Sequence, residues 1–198
     1  MNTATYPTLL NALSPRLEGN ALASRNVLLA LAGSLALTLS AKLQIPFWPV
    51  PMTLQTFVVL VIGMAFGWRL GALTVALYLA EGALGLPVFA GTPERGIGLA
   101  YMAGPTGGYL VGFVAGAALC GFLAERGWDR SVWRTAAAMA AGHVLILALG
   151  WAWLSVLIGP AKAYALGVVP FYAATVAKTL LAMAALPLAW KLAGQRAG

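Results

Sequence analysis

The sequence predicts an all-α membrane protein: a compact bundle of six transmembrane helices with both termini in the cytoplasm. Of its 198 residues, 61% are hydrophobic and only 9% are charged, whereas a soluble domain carries about 25% charged residues. A helix crosses the hydrocarbon layer with about 20 mostly apolar residues, and six apolar segments approach that length. One membrane domain therefore accounts for the whole chain and leaves no separate catalytic module.

The six predicted spans are 26–43, 53–67, 70–83, 107–124, 135–158 and 168–190. Only Trp68-Arg69 separates the second span from the third, which predicts a tight helical hairpin. We expect a cytoplasmic N-terminal segment (1–25), a six-helix domain (26–193) and a cytoplasmic tail (194–198). Arg16 and Glu18 interrupt the apolar residues near the N-terminus, so no cleaved signal peptide is expected there.

Basic residues between the spans predict the orientation, because cytoplasmic loops carry an excess of Lys and Arg. Placing both termini inside leaves Lys42, Arg95 and Lys162 outside. The inside segments then hold eight basic residues: Arg16, Arg25, Arg69, Arg126, Arg130, Arg134, Lys191 and Arg196. Such scattered charges explain the net charge of +7 by membrane orientation, and no nucleic-acid partner is expected.

Several kinds of catalytic or cofactor site are excluded by the residues. Cys120 is the only cysteine and His143 the only histidine, so Cys- or His-based metal clusters cannot form. The glycine-rich segment 91–98 lacks the Lys-Ser/Thr that binds nucleotide and magnesium in a phosphate loop. With so few acids and a single histidine, a lipid-modifying membrane enzyme is disfavoured. We expect neither catalytic residues nor a cofactor.

The two larger outside loops have unusual compositions. The segment 45–51 contains three prolines and two aromatic residues, which predicts a stiff, extended lid because proline restricts its own backbone and the residue before it. The region 85–106 is rich in glycine and proline. Irregular backbone near a membrane persists where protein buries it or where it lines a cavity, so this region indicates either a shaped cavity or a packed loop cap.

Lys178 lies about ten residues into the last predicted span, where a charge is costly unless it is paired or hydrated. It is either the counter-ion of a carboxylate ligand or a lysine that extends to the headgroups. Glu81 ends the third span. This residue could pair with Lys178, accept a hydrogen bond from a ligand, or lie in the outer interface.

Polar and aromatic residues beside the outside loops are further candidates. Thr53 and Gln55 can donate and accept hydrogen bonds, or they can simply begin the second helix. Tyr78, Phe89 and Tyr109 would form aromatic walls, although aromatic residues also anchor helices at the interface.

Small residues recur at helical spacing in two spans. Gly104, Gly108, Gly112 and Gly116 indicate close packing of the fourth span inside the bundle. In the first span, Ala32 and Ala36 form a similar stripe that could pack internally or present a flat face to a partner helix.

Four short motifs in fixed order carry a family resemblance. They are 50–56 (Val-Pro-Met-Thr-Leu-Gln-Thr), 78–82 (Tyr-Leu-Ala-Glu-Gly), 85–91 (Gly-Leu-Pro-Val-Phe-Ala-Gly) and 104–109 (Gly-Pro-Thr-Gly-Gly-Tyr). Together with Lys178 and the residues 24–26, they resemble the BioY family, the biotin-specific substrate-binding (S) components of energy-coupling factor (ECF) transporters. The resemblance implies the S-component fold, a biotin pocket that opens outward, and location in the bacterial cytoplasmic membrane. As partners it implies a transmembrane coupling (T) component and paired ABC ATPases.

The resemblance also implies residue roles. Lys178 would hold the valerate carboxylate of biotin, and Ala32 and Ala36 would face the partner. Other pocket residues would be Thr53, Gln55, Tyr78, Glu81, Leu86, Pro87, Val88, Phe89, Gly104, Thr106, Gly107, Tyr109 and Thr175. Thr175 replaces an acidic residue that family members often have at this position, so it can hydrogen-bond but cannot neutralise the lysine. A stand-alone biotin carrier without ATPases is the alternative.

Overall fold

The structure is a computed structural model that describes residues 6–13 and 17–196, the last two of these by their backbone only. This description does not include Arg16, which is one of the residues predicted to lie on the cytoplasmic side. It also leaves out the side chain of Arg196 and parts of both predicted terminal segments. The described residues form nine α-helices, one 3-10 turn (Trp128–Arg130) and a two-stranded hairpin.

The helices, in chain order, are α1 (Leu9–Leu13), α2 (Gly19–Lys42), α3 (Gln55–Phe66), α4 (Trp68–Ala83), α5 (Gly98–Met102), α6 (Gly107–Ala124), α7 (Val132–Ile158), α8 (Pro160–Gly167) and α9 (Phe171–Arg196). The hairpin strands are β1 (Gln44–Ile45) and β2 (Met52–Thr53). The fold is therefore almost entirely helical, as the sequence predicts.

Four helices are long and apolar enough to cross a membrane: α2, α6, α7 and α9. The predicted hairpin of the second and third spans corresponds to α3 and α4, which have 12 and 16 residues. Its turn differs from the prediction, because α4 already begins at Trp68 and Gly67 alone separates the helices. Gly67 has a φ of 84°, a conformation that glycine adopts without steric cost. The last predicted span also differs, since α8 and a turn precede Phe171.

Helix α6 lies at the centre of the bundle: 11 of its 18 residues are buried, against 5 of the 24 residues of α2. Its glycines allow the close approach of neighbouring helices. A Cβ added to Gly112 would lie 2.9 Å from the Ile146 Cα of α7, and one added to Gly108 would collide with Trp153 and the Leu149 carbonyl. On another face, Gly63 of α3 lies directly against the Ala117 backbone. The glycine repeat thus serves packing inside the bundle.

Two loops enclose one side of the core. The first loop (43–54) joins α2 to α3 and contains the antiparallel pairs Gln44↔Thr53 and Ile45↔Met52. The second loop (84–106) joins α4 to α6 and contains α5. The predicted stiff lid therefore takes the form of a short hairpin whose prolines lie mainly in its turn.

Candidate binding cavity

A cavity lies between helices α3, α6, α7 and α9 and the two loops. Its free volume, measured for the centre of a water-sized sphere, is about 40 Å³. This volume leaves room for only a few water molecules. In this conformation the cavity is therefore too small to hold a vitamin-sized ligand.

Lys178 of α9 lines the cavity and is only 9% exposed. Its ammonium donates hydrogen bonds to the Thr53 carbonyl oxygen at 2.7 Å and to Thr56 Oγ1 at 2.8 Å. The side chain thus points to the first loop and the start of α3, and it does not extend toward headgroups. An ammonium has three N–H donors, so one remains for a ligand.

A chain of hydrogen bonds holds Gln55 at the cavity wall. Gln55 Nε2 donates to the Tyr78 hydroxyl at 2.7 Å, and that hydroxyl donates to the Val88 carbonyl oxygen at 3.0 Å. The backbone N–H of Gln55 donates to Thr53 Oγ1 at 3.2 Å. Gln55 and Thr53 line the cavity, whereas Tyr78 lies behind them. Tyr78 therefore orients Gln55 and ties α3 and α4 to the second loop.

Aromatic residues form the wall on the second-loop side. Tyr101 lines the cavity and stacks on Phe89, with ring centroids 4.9 Å apart and an interplanar angle of 19°. Phe89 in turn meets Tyr78 edge to face at 5.4 Å. The Tyr101 hydroxyl donates to the Ala90 carbonyl oxygen at 2.9 Å, and burial raises the pKa of this phenol. Tyr101 therefore stays a neutral hydrogen-bond donor that fixes the second loop.

On the opposite wall, Tyr109 of α6 lines the cavity together with Phe171. Its hydroxyl donates to the Gly167 carbonyl oxygen at 2.6 Å. A Cβ on Gly150 would collide with the Tyr109 ring, so glycine is needed there for close packing. The hydrogen bond from Tyr109 to Gly167 joins α6 to the end of α8.

The structure brings five of the predicted pocket residues to the cavity lining: Thr53, Gln55, Thr106, Tyr109 and Lys178. It places Tyr78 and Phe89 directly behind that lining. The remaining predicted residues do not line it: Glu81, Leu86, Pro87, Val88, Gly104, Gly107 and Thr175.

Glu81 is the clearest example of a predicted pocket residue that does not line the cavity. Its carboxylate accepts a hydrogen bond from Ser34 of α2. Pairing with Lys178, one of the three alternatives for Glu81, does not occur: among residues 6–13 and 17–196 no carboxylate pairs with that lysine. Glu81 thus joins α2 to α4. Thr175 lies one turn before Lys178, half-buried and without a side-chain partner in the described part of the chain.

Sequence reasoning did not select ten lining residues: Val50, Pro51, Thr56, Ala90, Tyr101, Leu110, Phe113, Ile146, Leu147 and Phe171. Thr56 was within reach of the argument, because it lies three residues after Thr53 and closes the same motif. Val50, Pro51 and Ala90 lie in the quoted motifs but were not selected. The apolar residues of α6, α7 and α9 gave no signal, since their residue types equally suit a lipid-facing or a packed position.

The predicted partner face lies on α2. Ala32 is exposed and Ala36 half-buried, and the neighbouring Leu28, Leu35 and Leu39 are all exposed, by 59–66%. Within the described residues, no other element covers this face.

Comparisons with known proteins agree with this architecture. The BioY family model matches residues 12–195. The chain belongs to the BioY family. A relative from Pyrococcus horikoshii, named probable biotin transporter BioY, is 37% identical over 146 residues, which cover 74% of this chain and 84% of the relative. The biotin transporter BioY of Thermotoga maritima is 41% identical over 136 residues, covering 68% and 78%.

A solved structure also shares the fold. The crystal structure of the S-component for biotin from an ECF-type ABC transporter superposes with a TM-score of 0.75 at 23% identity, covering 88% of this chain and 95% of that chain. The resemblance to the BioY family drawn from the sequence motifs is therefore confirmed, as is the S-component architecture.

Proposed function

We propose that this chain captures biotin from outside the cell and is the substrate-binding S component of an ECF-type ABC transporter. The observation that carries the proposal is Lys178, a buried ammonium at a small cavity that keeps one donor for a ligand among the described residues. Membership of the BioY family and relatives named as biotin transporters support the choice of ligand. The protein binds and moves its substrate without covalent chemistry.

Biotin matches the cavity group by group. Its carboxylate suits the ammonium of Lys178, which lacks a carboxylate partner among the described residues. Its ureido group both donates and accepts hydrogen bonds, as do the cavity-lining Thr53 and Gln55. Its apolar tail and thioether ring suit walls made of aromatic and aliphatic residues. Predicted pocket residues away from the lining, such as Glu81 and Thr175, would act only if the loops rearrange around the ligand.

The topology that fits this role has six membrane crossings and both termini in the cytoplasm. Helices α2, α6, α7 and α9 provide four crossings, and α3 with α4 provides the short pair. The excess of basic residues in the inside segments supports this orientation. The exposed face around Ala32 and Ala36 would meet a T component, which works with paired ABC ATPases in the bacterial cytoplasmic membrane.

Calorimetry on the purified protein in detergent tests the ligand. Biotin should bind tightly, biotin amide more weakly because it has no carboxylate, and riboflavin not at all. Absence of biotin binding would refute the proposal. Reconstitution without partners then separates the two modes of transport, because concentrative uptake needs an energy source, whereas a stand-alone carrier only equilibrates biotin.

A further inference from the structure

Lys42 and Arg95 make side-chain hydrogen bonds that the proposed function does not explain. Lys42 is the last residue of α2, and Arg95 lies in the second loop. Both side chains donate to backbone carbonyl oxygens of a neighbouring loop. We propose that Lys42 and Arg95 form a two-point latch that holds the loops closed over the cavity and sets the rate at which ligand enters and leaves.

Lys42 fastens the second loop to α2. Its ammonium donates to the carbonyl oxygens of Pro87 at 2.8 Å, Phe89 at 3.1 Å and Thr92 at 3.3 Å, and to Thr92 Oγ1 at 3.2 Å. Hydrogen bonds from a charged donor are about twice as strong as neutral ones. The same loop carries Ala90, whose backbone lies between these acceptors and which lines the cavity.

Arg95 fastens the second loop to the first. Its guanidinium donates to the Phe47 carbonyl oxygen at 3.1 Å and to the Pro49 carbonyl oxygen at 3.5 Å. Val50, the residue after Pro49, is 4% exposed and lines the cavity. Arg95 therefore joins the segments that cover the cavity from its two sides.

Gly91 makes room for the arginine. Its φ is +71°, and a Cβ there would lie 2.7 Å from the Arg95 Cδ. The Arg95 backbone N–H donates to the Gly91 carbonyl oxygen at 2.9 Å, which closes a turn. The glycine-rich segment 91–98 thus shapes a turn that aims a cation at the first loop.

The latch matters because the cavity under the two loops has a free volume of only about 40 Å³. A small-molecule ligand can exchange only when the covering loops separate, and each separation must break the bonds of Lys42 or Arg95. Neither Lys42 nor Arg95 lines the cavity. They are positioning residues, and the inference rests on the proposed function only for the identity of the ligand.

Thiol accessibility tests the latch without biotin. In a Cys120→Ser background, Leu110→Cys places a thiol on the cavity wall of α6, at a position only 4% exposed. Lys42→Met and Arg95→Gln should each raise its reaction rate with a water-soluble maleimide by at least about fivefold, the effect of losing a single net hydrogen bond of ~1 kcal/mol. Lys162→Met is the matched control, because Lys162 is exposed and makes no side-chain hydrogen bond within the described residues.

Equal maleimide rates in the latch variants and the control would overturn the proposal. Lys42→Arg should restore a near-normal rate, since it keeps a cationic donor, and its failure to do so in a protein of unchanged melting temperature would also count against the latch. Release of preloaded radiolabelled biotin should accelerate by the same factor, and an unchanged release rate would show that the latch does not govern exchange. If biotin does not bind at all while accessibility still rises, the latch stands and the proposed ligand fails.

Discussion

Replacing Lys178 with methionine isolates the electrostatic role of the cavity lysine. Methionine has a similar unbranched stem, so it fills the space but removes the ammonium and its donors. The ammonium of Lys178 donates two hydrogen bonds, to Thr53 and to Thr56, so one N–H donor and the positive charge remain for a ligand. The variant should therefore discriminate between a ligand with a carboxylate and the same ligand without one.

The expected magnitude follows from the burial of Lys178, which is 9% exposed. Truncating one partner of a buried, hydrogen-bonded charge pair costs about 2–5 kcal/mol, which corresponds to about 30- to 4,000-fold in Kd. For biotin amide only a hydrogen bond is lost, which contributes about 1 kcal/mol, or about fivefold. The loss for biotin should therefore exceed the loss for the amide by at least about fivefold.

Titration calorimetry with both ligands measures this difference, and Lys162→Met serves as the control for loss of a lysine elsewhere. Thermal unfolding in detergent shows whether the variant is folded, since Lys178 also holds the first loop to α9. Equal losses of affinity for biotin and biotin amide would refute the reasoning. They would show that Lys178 only fastens the first loop.

Three further predictions test packing, partner docking and pH dependence. Gly63→Ala should lower the melting temperature, because the added Cβ would collide with the α6 backbone and overpacking costs about 1–3 kcal/mol. The control Gly194→Ala should leave the melting temperature unchanged, because no atom lies within 4 Å of the added Cβ. Replacing Ala32 and Ala36 with tryptophan should leave biotin binding intact but abolish ATP-driven uptake in vesicles that contain the partners, whereas lost binding would place this face inside the bundle. Burial raises the pKa of the Asp129 carboxyl, so its protonated form stabilises the fold at low pH and that contribution is lost as pH rises through the raised pKa. The melting temperature of the wild-type protein should therefore fall, relative to that of Asp129→Asn, as pH rises through the raised pKa. Parallel curves of melting temperature against pH would contradict a raised pKa at Asp129.

Much of the helical pattern was predictable because membrane-spanning helices depend on local composition. The predicted span 107–124 coincides with α6, and the short break at Trp68-Arg69 indicated the α3–α4 hairpin, although Gly67 is the residue that separates the two helices. The exact boundaries were less accessible. Gly67 ends α3 through a backbone conformation, and a turn (168–170) after α8 occupies the start of the last predicted span. Neither feature changes the average hydropathy.

The candidate site was predicted in part. Lys178 stood out because an isolated charge in an apolar segment demands a reason, and Gln55 stood out beside a proline-rich loop. Tyr101 and Phe113 were missed because aromatic residues are common throughout such a chain. The contacts of Lys42 and Arg95 were also out of reach, since their acceptors are backbone carbonyl oxygens, which every residue carries.

Taken alone, the sequence determined the membrane class, the family and Lys178 as a candidate site residue, because these depend on residue types and their order along the chain. Only the tertiary structure decided that Glu81 bonds to Ser34 and not to Lys178, that Tyr78 supports Gln55 from behind, and that two surface cations tie the loops together. These outcomes depend on distances between residues far apart in sequence. Such distances arise from how the helices pack, and here glycine-mediated contacts around α6 set that packing.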